Sequence, residues 1–296
     1  MRILSVLILL MLSACFSSEK KTSPKTTTIE YELAKAENQK ALLILFPCFP
    51  CDAENTKTEF KINDIALKNN ISVLMLNFNQ HLYLKEEEKE KLASQLNSIL
   101  EKENLKSENV YIGGFSSGGN VSFLLSSYLI QTQNNIQPKG VFLADSPIDL
   151  LGLYRTSQKN ISKNKAPESV EEAKWIVSEF DKIFGNPSTG ISKYEENSPF
   201  TLESKSIRNI IFLKNLKVRL YTEPDTTWWK ENRANDYEDL NAYSIEKLAE
   251  ELKTRNFNKT ELIKTENRGY RSNGNRHPHS WSIIDENDLV KWVLEE

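Results

Sequence analysis

One serine of the chain has neighbours that are typical of an enzymatic nucleophile. Ser116 lies in Gly113-Gly114-Phe115-Ser116-Ser117-Gly118-Gly119, between an apolar run that predicts a buried strand and an amphipathic stretch that predicts a helix. On such a turn the hydroxyl stands clear of the sheet, and flanking glycines let the backbone pass closely. The N–H of Ser117, at the helix start, would point toward the same space and stabilise an oxyanion. A tight turn without chemistry is the alternative.

A base must lie near this serine, because a serine hydroxyl is a weak nucleophile at its ordinary pKa. The chain has three histidines. His81 follows a predicted strand, and we expect it to be structural or at a pocket rim. His277 and His279 lie in a polar loop between the last predicted strand and the terminal helix, and Pro278 between them makes their side chains diverge. Of this pair, the histidine that is not the base is expected to bond within the loop or to contact substrate.

The order of apolar runs and amphipathic stretches predicts an α/β fold, with a mostly parallel central sheet and helices on both faces. The predicted strands are residues 41–46, 71–78, 109–115, 140–145, 218–222 and 261–265. The predicted helices are residues 85–103, 119–132, 169–184, 235–253 and 286–294. The pattern lapses at residues 154–208, where we expect a partly helical cap over the active edge of the sheet. A peripheral helix without contact to any site is the alternative.

With these elements in place, the chain resembles the α/β-hydrolase superfamily of serine hydrolases from about residue 42 to the C-terminus. The resemblance rests on the glycine-flanked Ser116 and on His279-Ser280-Trp281 after the last strand. In this family the base sits on the loop after the final strand, often as His-Ser-Trp. The resemblance therefore implies that His279 is the base, with His277 as the alternate.

The resemblance also implies an acid that orients the base and follows the strand after the insertion. Asp225 lies there, in Tyr221-Thr222-Glu223-Pro224-Asp225, and Glu223 is the alternate. The chain order would then be serine, aspartate, histidine, as expected for this fold. Asp145 and Asp149, after the strand at 140–145, are weaker candidates because such residues are common in turns.

A second oxyanion donor is expected in the loop Pro47-Cys48-Phe49-Pro50-Cys51. Proline has no backbone N–H, so Cys48 or Phe49 must donate, and the match to the family's His-Gly-x position favours Phe49. Cys48 and Cys51 are expected to form a disulfide or to remain two partly buried thiols. We expect no metal site, because no further cysteine remains and the late histidines are already assigned. No organic cofactor is implied.

Two groups of residues near the site could each have either a functional or a purely structural role. Trp228 and Trp229 follow Asp225 and could line a pocket or pack the next helix onto the core. Three arginines near the histidines could bind an anionic group of a substrate or be ordinary surface residues; these are Arg268, Arg271 and Arg276.

The first 14 residues resemble a bacterial lipoprotein signal peptide. A basic start precedes an apolar run that is too short to span a bilayer, and Leu12-Ser13-Ala14-Cys15 follows. The resemblance implies that Cys15 becomes the lipidated first residue. Residues 15–27 would then form a flexible tether, and one domain at 28–296 would be held at a membrane of the bacterial cell envelope. An ordinary signal peptide with an unrelated cysteine is the alternative.

The overall composition limits the class of function. The 296 residues include 38 Lys and Arg against 41 Asp and Glu, and 39% are hydrophobic. This argues against a disordered chain and against broad nucleic-acid binding, which needs surplus positive charge. The sequence thus predicts a membrane-anchored serine hydrolase that cleaves an ester or related acyl bond of a small molecule or polymer end. The alternatives are an amidase or peptidase of the same fold, and a non-catalytic lipoprotein that binds a small molecule or glycan in the same pocket.

Overall fold

The computed structural model describes residues 29–78 and 82–295. The signal peptide, the tether, Cys15 and His81 lie outside the described residues. A seven-stranded sheet has the order β1-β3-β2-β4-β5-β6-β7, and neighbouring strands are parallel except for the antiparallel pair β1 and β3. The strands are β1 (Tyr31–Ala34), β2 (Ala41–Phe46), β3 (Ile71–Leu76), β4 (Val110–Phe115), β5 (Pro138–Ala144), β6 (Lys217–Thr222) and β7 (Thr260–Lys264).

Ten α-helices occur in the described residues: α1 (Ala53–Glu59), α2 (Asn63–Lys68), α3 (Glu86–Lys102), α4 (Ser117–Gln131), α5 (Leu150–Lys163), α6 (Pro167–Ile183), α7 (Ser192–Asn197), α8 (Thr226–Arg233), α9 (Asn241–Thr254) and α10 (Glu286–Leu294). Helices cover both faces of the sheet. Leu42 and Ile44 of β2 pack with α3 and α4, whereas Leu43 and Leu45 pack with α10. Alternate side chains of a strand point to opposite faces, so a central strand covered on both sides is apolar throughout. The predicted α/β fold with a mostly parallel sheet is confirmed.

The edge strand β1 is the one strand of the described sheet that the sequence pattern did not predict. It has four residues, none of them fully buried, and so it lacks the continuous apolar run that reveals a central strand. Helix α5 was not predicted for a similar reason: it begins with Leu150-Leu151-Gly152 and is mostly polar afterwards, so it lacks a clear apolar pattern. Asp149 caps α5, because its Oδ1 accepts a hydrogen bond of 3.0 Å from Gly152 N. Asp149 is therefore a helix cap.

The insertion between β5 and β6 forms a helical layer of its own. Helices α5 and α6, here called the cap helices, pack against each other and against α7 around an aromatic cluster of Tyr154, Phe180, Phe184 and Tyr194. Only α6 was expected from the sequence. No helix in the described part of the chain is long and apolar enough to cross a membrane.

Candidate active site

The described segments that carry the predicted chemistry meet at one edge of the sheet. In a parallel sheet the carboxyl ends of the strands point the same way, so the residues that follow them become neighbours. Ser116 follows β4, Asp145 follows β5, and Glu223 follows β6. The loop at 265–280, here called the histidine loop, follows β7, and the loop at 47–52, here called the disulfide loop, follows β2.

Ser116 occupies a sharp turn between β4 and α4. Its backbone has φ 55° and ψ −128°, a conformation that a residue with a side chain rarely adopts. The flanking glycines are needed here: a Cβ on Gly114 would collide with the backbone of Gly118, and one on Gly118 would collide with the backbone of Phe46 and Pro47. Ser116 N donates to Ala144 O at 2.9 Å, which ties the turn to the end of β5.

His279 is bonded to a carboxylate at the end of β5. Its Nδ1 lies 2.7 Å from Asp145 Oδ2, and its ring packs on Phe115 with the centroids 4.4 Å apart. An ionised carboxylate accepts hydrogen bonds and cannot donate one, so in this contact Nδ1 carries the proton and Nε2 is left as the acceptor nitrogen. Ser116 and His279 line the same cavity. This arrangement places a proton acceptor, oriented by a buried acid, beside the cavity that contains the serine.

Asp145 is held rigidly. It is 3% exposed and has φ 44°, and its Oδ1 accepts a 2.8 Å hydrogen bond from Thr222 Oγ1. Its backbone N donates to Tyr221 O at 2.8 Å, and its backbone O accepts from Asn241 Nδ2 at 2.9 Å. Both carboxylate oxygens therefore have a partner, and the oxygen facing His279 cannot rotate away without breaking the bond to Thr222.

Asp225, which was expected to orient the base, does not contact His279. Its Oδ1 caps α8 by accepting from Trp228 N at 3.0 Å, and its Oδ2 lies 2.7 Å from Arg276 Nη2. The expected pairing is wrong for a geometric reason. Both carboxylate oxygens of Asp225 are already bonded, to Trp228 N and to Arg276, so the carboxylate is held at the start of α8 and on the arginine of the histidine loop rather than on the imidazole. Asp145, the weaker candidate from the sequence, makes the contact with His279 that was expected of Asp225.

Glu223, the alternate acid, binds the backbone of the histidine loop. It is 2% exposed, and its carboxylate accepts from Thr265 Oγ1 at 2.9 Å, Arg268 N at 3.0 Å and Gly269 N at 3.1 Å. It also forms a 2.5 Å ion pair with Arg276. The two acidic residues after β6 therefore share one arginine and shape the loop that carries His279, without touching the imidazole.

His277, the alternate base, lies in the same cavity but in a different environment. Its ring packs on Trp228 with the centroids 4.6 Å apart, and its Nδ1 has no hydrogen-bond partner among the described residues. Burial, and then the charges of His279 and Arg271, lower its pKa from 6.5 to about 3. His277 is therefore neutral near pH 7, and it lacks the carboxylate contact that His279 has.

The disulfide loop forms another wall of the cavity. A disulfide joins Cys48 and Cys51, and Phe49 stacks on Trp175 of α6 with the ring centroids 5.0 Å apart. Both candidate donors, Cys48 and Phe49, line the cavity, and the peptide between Phe49 and Pro50 is cis. Ser117 is the first residue of α4, so its N–H has no acceptor within the helix. Cys48 and Phe49 thus line the cavity that contains Ser116, and Ser117 is the next residue of the chain.

The cavity has a volume of about 460 Å³. The disulfide loop, the cap helices, α8 and the histidine loop contribute to its walls, so the insertion predicted as a cap does border the serine. Trp229 lines the cavity, whereas Trp228 packs on His277. In residues 29–78 and 82–295, no three His, Cys, Asp or Glu side chains are grouped so that they could hold a metal ion.

No family model and no curated protein sequence matches this chain. Solved structures do, and they define the class as the α/β-hydrolase fold. The chain is similar to FphF, a fluorophosphonate-binding serine hydrolase of Staphylococcus aureus, with 14% identity, a TM-score of 0.52, and coverage of 88% of this chain and 85% of that one. It is also similar to MPT51 of Mycobacterium tuberculosis, with 12% identity, a TM-score of 0.54, and coverage of 92% and 96%. The virulence factor BioJ of Francisella matches at 11% identity and a TM-score of 0.51, over 90% and 80% of the two chains. At these identities the likeness shows the fold.

The supports of Asp145 are not visible in the sequence. Thr222 and Asn241 hold its side chain and backbone, yet neither stands in a recognisable motif. The one available signal was position: Asp145 directly follows β5, the strand that lies beside β4, and Ser116 follows β4. Strand order would have been needed to use that signal, and a single sequence does not display strand order.

Proposed function

We propose that the protein is a serine hydrolase that cleaves an ester through an acyl-enzyme intermediate on Ser116. The observation that carries the proposal is the 2.7 Å bond between His279 Nδ1 and Asp145, beside a cavity that also contains a serine on a strained strand-to-helix turn. The fluorophosphonate-binding hydrolase of similar fold supports the same class of chemistry. The substrate is a small molecule or the end of a polymer, and the reaction needs no cofactor.

In the proposed reaction, His279 Nε2 accepts the hydroxyl proton of Ser116 as its oxygen attacks the acyl carbon. Asp145 stabilises the imidazolium that forms, because its carboxylate already accepts from Nδ1. The C–O bond to the alcohol then breaks, and His279 returns the proton to the departing oxygen. Water, deprotonated by the same histidine, releases the acid and regenerates Ser116.

The negative oxygen of each tetrahedral intermediate needs donors that are in place before the reaction. The N–H groups of Ser117 and Phe49 fill this role in the proposal, with Cys48 as the alternate to Phe49. Removing one such donor typically costs about 10²- to 10³-fold in rate. An ester is preferred over an amide because an alcohol is the easier leaving group.

The test of catalysis is covalent labelling by a fluorophosphonate probe. The folded wild-type protein should label and hydrolyse p-nitrophenyl esters, and Ser116→Ala should do neither. Ser126→Ala is the matched control, because Ser126 lies on α4, the helix that follows Ser116, and its hydroxyl has no partner among the described residues. If the folded wild type neither labels nor hydrolyses esters or p-nitroanilides of several chain lengths, the hydrolase proposal fails and a binding function in the same cavity becomes the better account.

The proposal also includes export and a lipid anchor on Cys15. Its support is the lipoprotein-like signal pattern, together with the Cys48–Cys51 disulfide, since disulfides persist mainly outside the reducing cytoplasm. In a bacterial host, the wild type should incorporate an alkyne fatty acid and fractionate with membranes. Cys15→Ala should lose the label and the membrane association. Equal fractionation of the two proteins would contradict the anchor.

A further inference from the structure

Four charged side chains line the described part of the cavity in addition to the histidines: Arg233, Arg271, Glu172 and Asp239. A charge that is already paired with an opposite charge attracts a ligand only weakly. An unpaired charge at a partly buried position costs free energy unless a ligand of opposite charge binds to it. The partners of these four residues therefore decide which ligand the cavity favours.

Arg271 has no hydrogen bond or ion pair from its guanidinium to any residue of 29–78 and 82–295. The guanidinium carbon lies 5.8 Å from the centroid of the Phe115 ring, a cation–π contact that uses none of its five N–H donors. The carboxylate of Glu59 attracts Arg271 electrostatically, but it is not hydrogen-bonded to the guanidinium. Its two oxygens instead accept from Ser272, at 2.9 Å from the backbone N and 2.6 Å from Oγ.

The other three charges are paired or exposed. Asp239 lies 2.7 Å from Lys159 Nζ, so a cation outside the cavity already neutralises it. Glu172 is exposed to solvent, and water screens its charge. Arg233 pairs at 3.2 Å with Glu168, whose side chain is 85% exposed, and such a pair is weak. The unbalanced charge of the cavity is therefore positive.

The position of Arg271 places this charge near the reaction. The Phe115 ring that contacts Arg271 also packs on His279, with the centroids 4.4 Å apart, and Phe115 immediately precedes Ser116. Arg271 and Arg233 both contribute to the lowered pKa of His277, which agrees with a positive potential inside the cavity.

We propose that Arg271, assisted by Arg233, binds a negatively charged group of the substrate, so that the preferred substrates are esters that carry a carboxylate close to the scissile bond. This inference rests on the proposed hydrolase function. A planar guanidinium fork matches a carboxylate with two parallel hydrogen bonds, so the group would also orient the ester over Ser116.

The test compares matched esters, in which one member of each pair carries a carboxylate where the other carries an uncharged group. One pair has the carboxylate on the acyl side, p-nitrophenyl hemiadipate against p-nitrophenyl hexanoate; the other has it on the alcohol side, 4-acetoxybenzoate against 4-acetoxybenzamide. In at least one pair, the wild type should prefer the anionic ester, and the pair that responds identifies the side that Arg271 faces. Arg271→Gln should lower kcat/KM for that ester about 10- to 100-fold, and change the neutral ester less than about threefold.

Two controls separate this inference from a structural effect and from the hydrolase proposal. Arg268→Gln removes an arginine of the same loop that pairs with Asp285, and it should leave the preference unchanged. Arg271→Lys should retain part of the preference.

Labelling by a neutral fluorophosphonate should be similar in the wild type and Arg271→Gln, which shows that the catalytic groups are intact. Intact labelling without any preference for the anionic esters, or an equal loss on neutral and anionic esters, would overturn the inference; absent labelling of the wild type would instead overturn the hydrolase proposal.

Discussion

Strands β5 and β6 lie side by side in the sheet, and each is followed by an acidic side chain that is almost fully buried. Asp145, after β5, bonds to the imidazole of His279, whereas Glu223, after β6, bonds to the backbone of the histidine loop and to Arg276. Asp225 adds a second carboxylate to Arg276. The acidic residue after β5 thus orients the imidazole of His279, and the acidic residues after β6 hold the loop that carries His279.

The two roles should separate experimentally. A carboxylate that bonds to the base affects the transition state, because the imidazolium charge develops only during the reaction. A carboxylate that bonds to the loop backbone affects the folded state, because its contacts exist before substrate arrives. Substitutions after β5 should therefore change kcat, and substitutions after β6 should mainly change stability.

The largest expected effect is that of Asp145→Asn. The amide cannot stabilise the imidazolium and favours the wrong tautomer of His279, so kcat should fall about 10³- to 10⁴-fold. The measurement is kcat for a p-nitrophenyl ester, with circular dichroism to confirm that the variant is folded. A folded variant that retains more than about a tenth of the wild-type kcat would contradict the role of Asp145.

The next effect is that of Glu223→Gln on stability. The substitution leaves buried N–H groups of the histidine loop and Arg276 incompletely paired, so the free energy of unfolding should fall by about 2–4 kcal/mol. Urea unfolding measures this, and kcat per active site, counted by probe labelling, should change much less than in Asp145→Asn. Glu266→Gln, at an exposed position of the same loop, is the control and should cost less than about 0.5 kcal/mol. If Glu223→Gln lowers kcat as Asp145→Asn does with stability unchanged, the division of roles is wrong.

The sequence predicted the fold better than it predicted the different roles of the acidic residues after β5 and β6. Continuous apolar runs identify the central strands, and glycines around a serine identify a turn in which side chains would collide. The edge strand β1 and the polar helix α5 carry no such pattern, and they were missed.

The acid was misassigned because both strand ends offer carboxylates at short distance from the strand. The sequence favours Asp225, with Glu223 as the alternate and Asp145 as a weaker candidate, but only the strand order and the path of the histidine loop decide which of them meets His279. Those are consequences of packing between residues more than 100 positions apart, which local patterns do not encode.

The partly buried His277 of the histidine loop makes the stability of the protein depend on pH. The pKa of His277 is lowered to about 3, mainly by burial, whereas the unfolded chain binds a proton there below about pH 6.5. Between these values the unfolded state binds more protons, so stability falls as the pH decreases from about 6.5 toward 3, by at most about 1.4 kcal/mol per pH unit. His277→Gln should make unfolding measurably less dependent on pH in that range. Identical pH profiles of the two proteins, measured by urea unfolding between pH 7 and 4, would contradict the buried neutral state of His277.

The smallest expected effect, and the sharpest contrast with the first, is that of Asp225→Asn. Asparagine is also a good helix cap, so α8 keeps its first hydrogen bond, and Arg276 keeps its ion pair with buried Glu223. The loss is one partly exposed ion pair, worth about 1 kcal/mol or less in urea unfolding, and kcat should stay within about threefold of the wild type. Because Asp145→Asn and Asp225→Asn make the same chemical change one strand apart, their ratio of kcat values measures which carboxylate serves the base. A ratio near one, or a larger loss in Asp225→Asn, would show that His279 does not depend on Asp145 in solution.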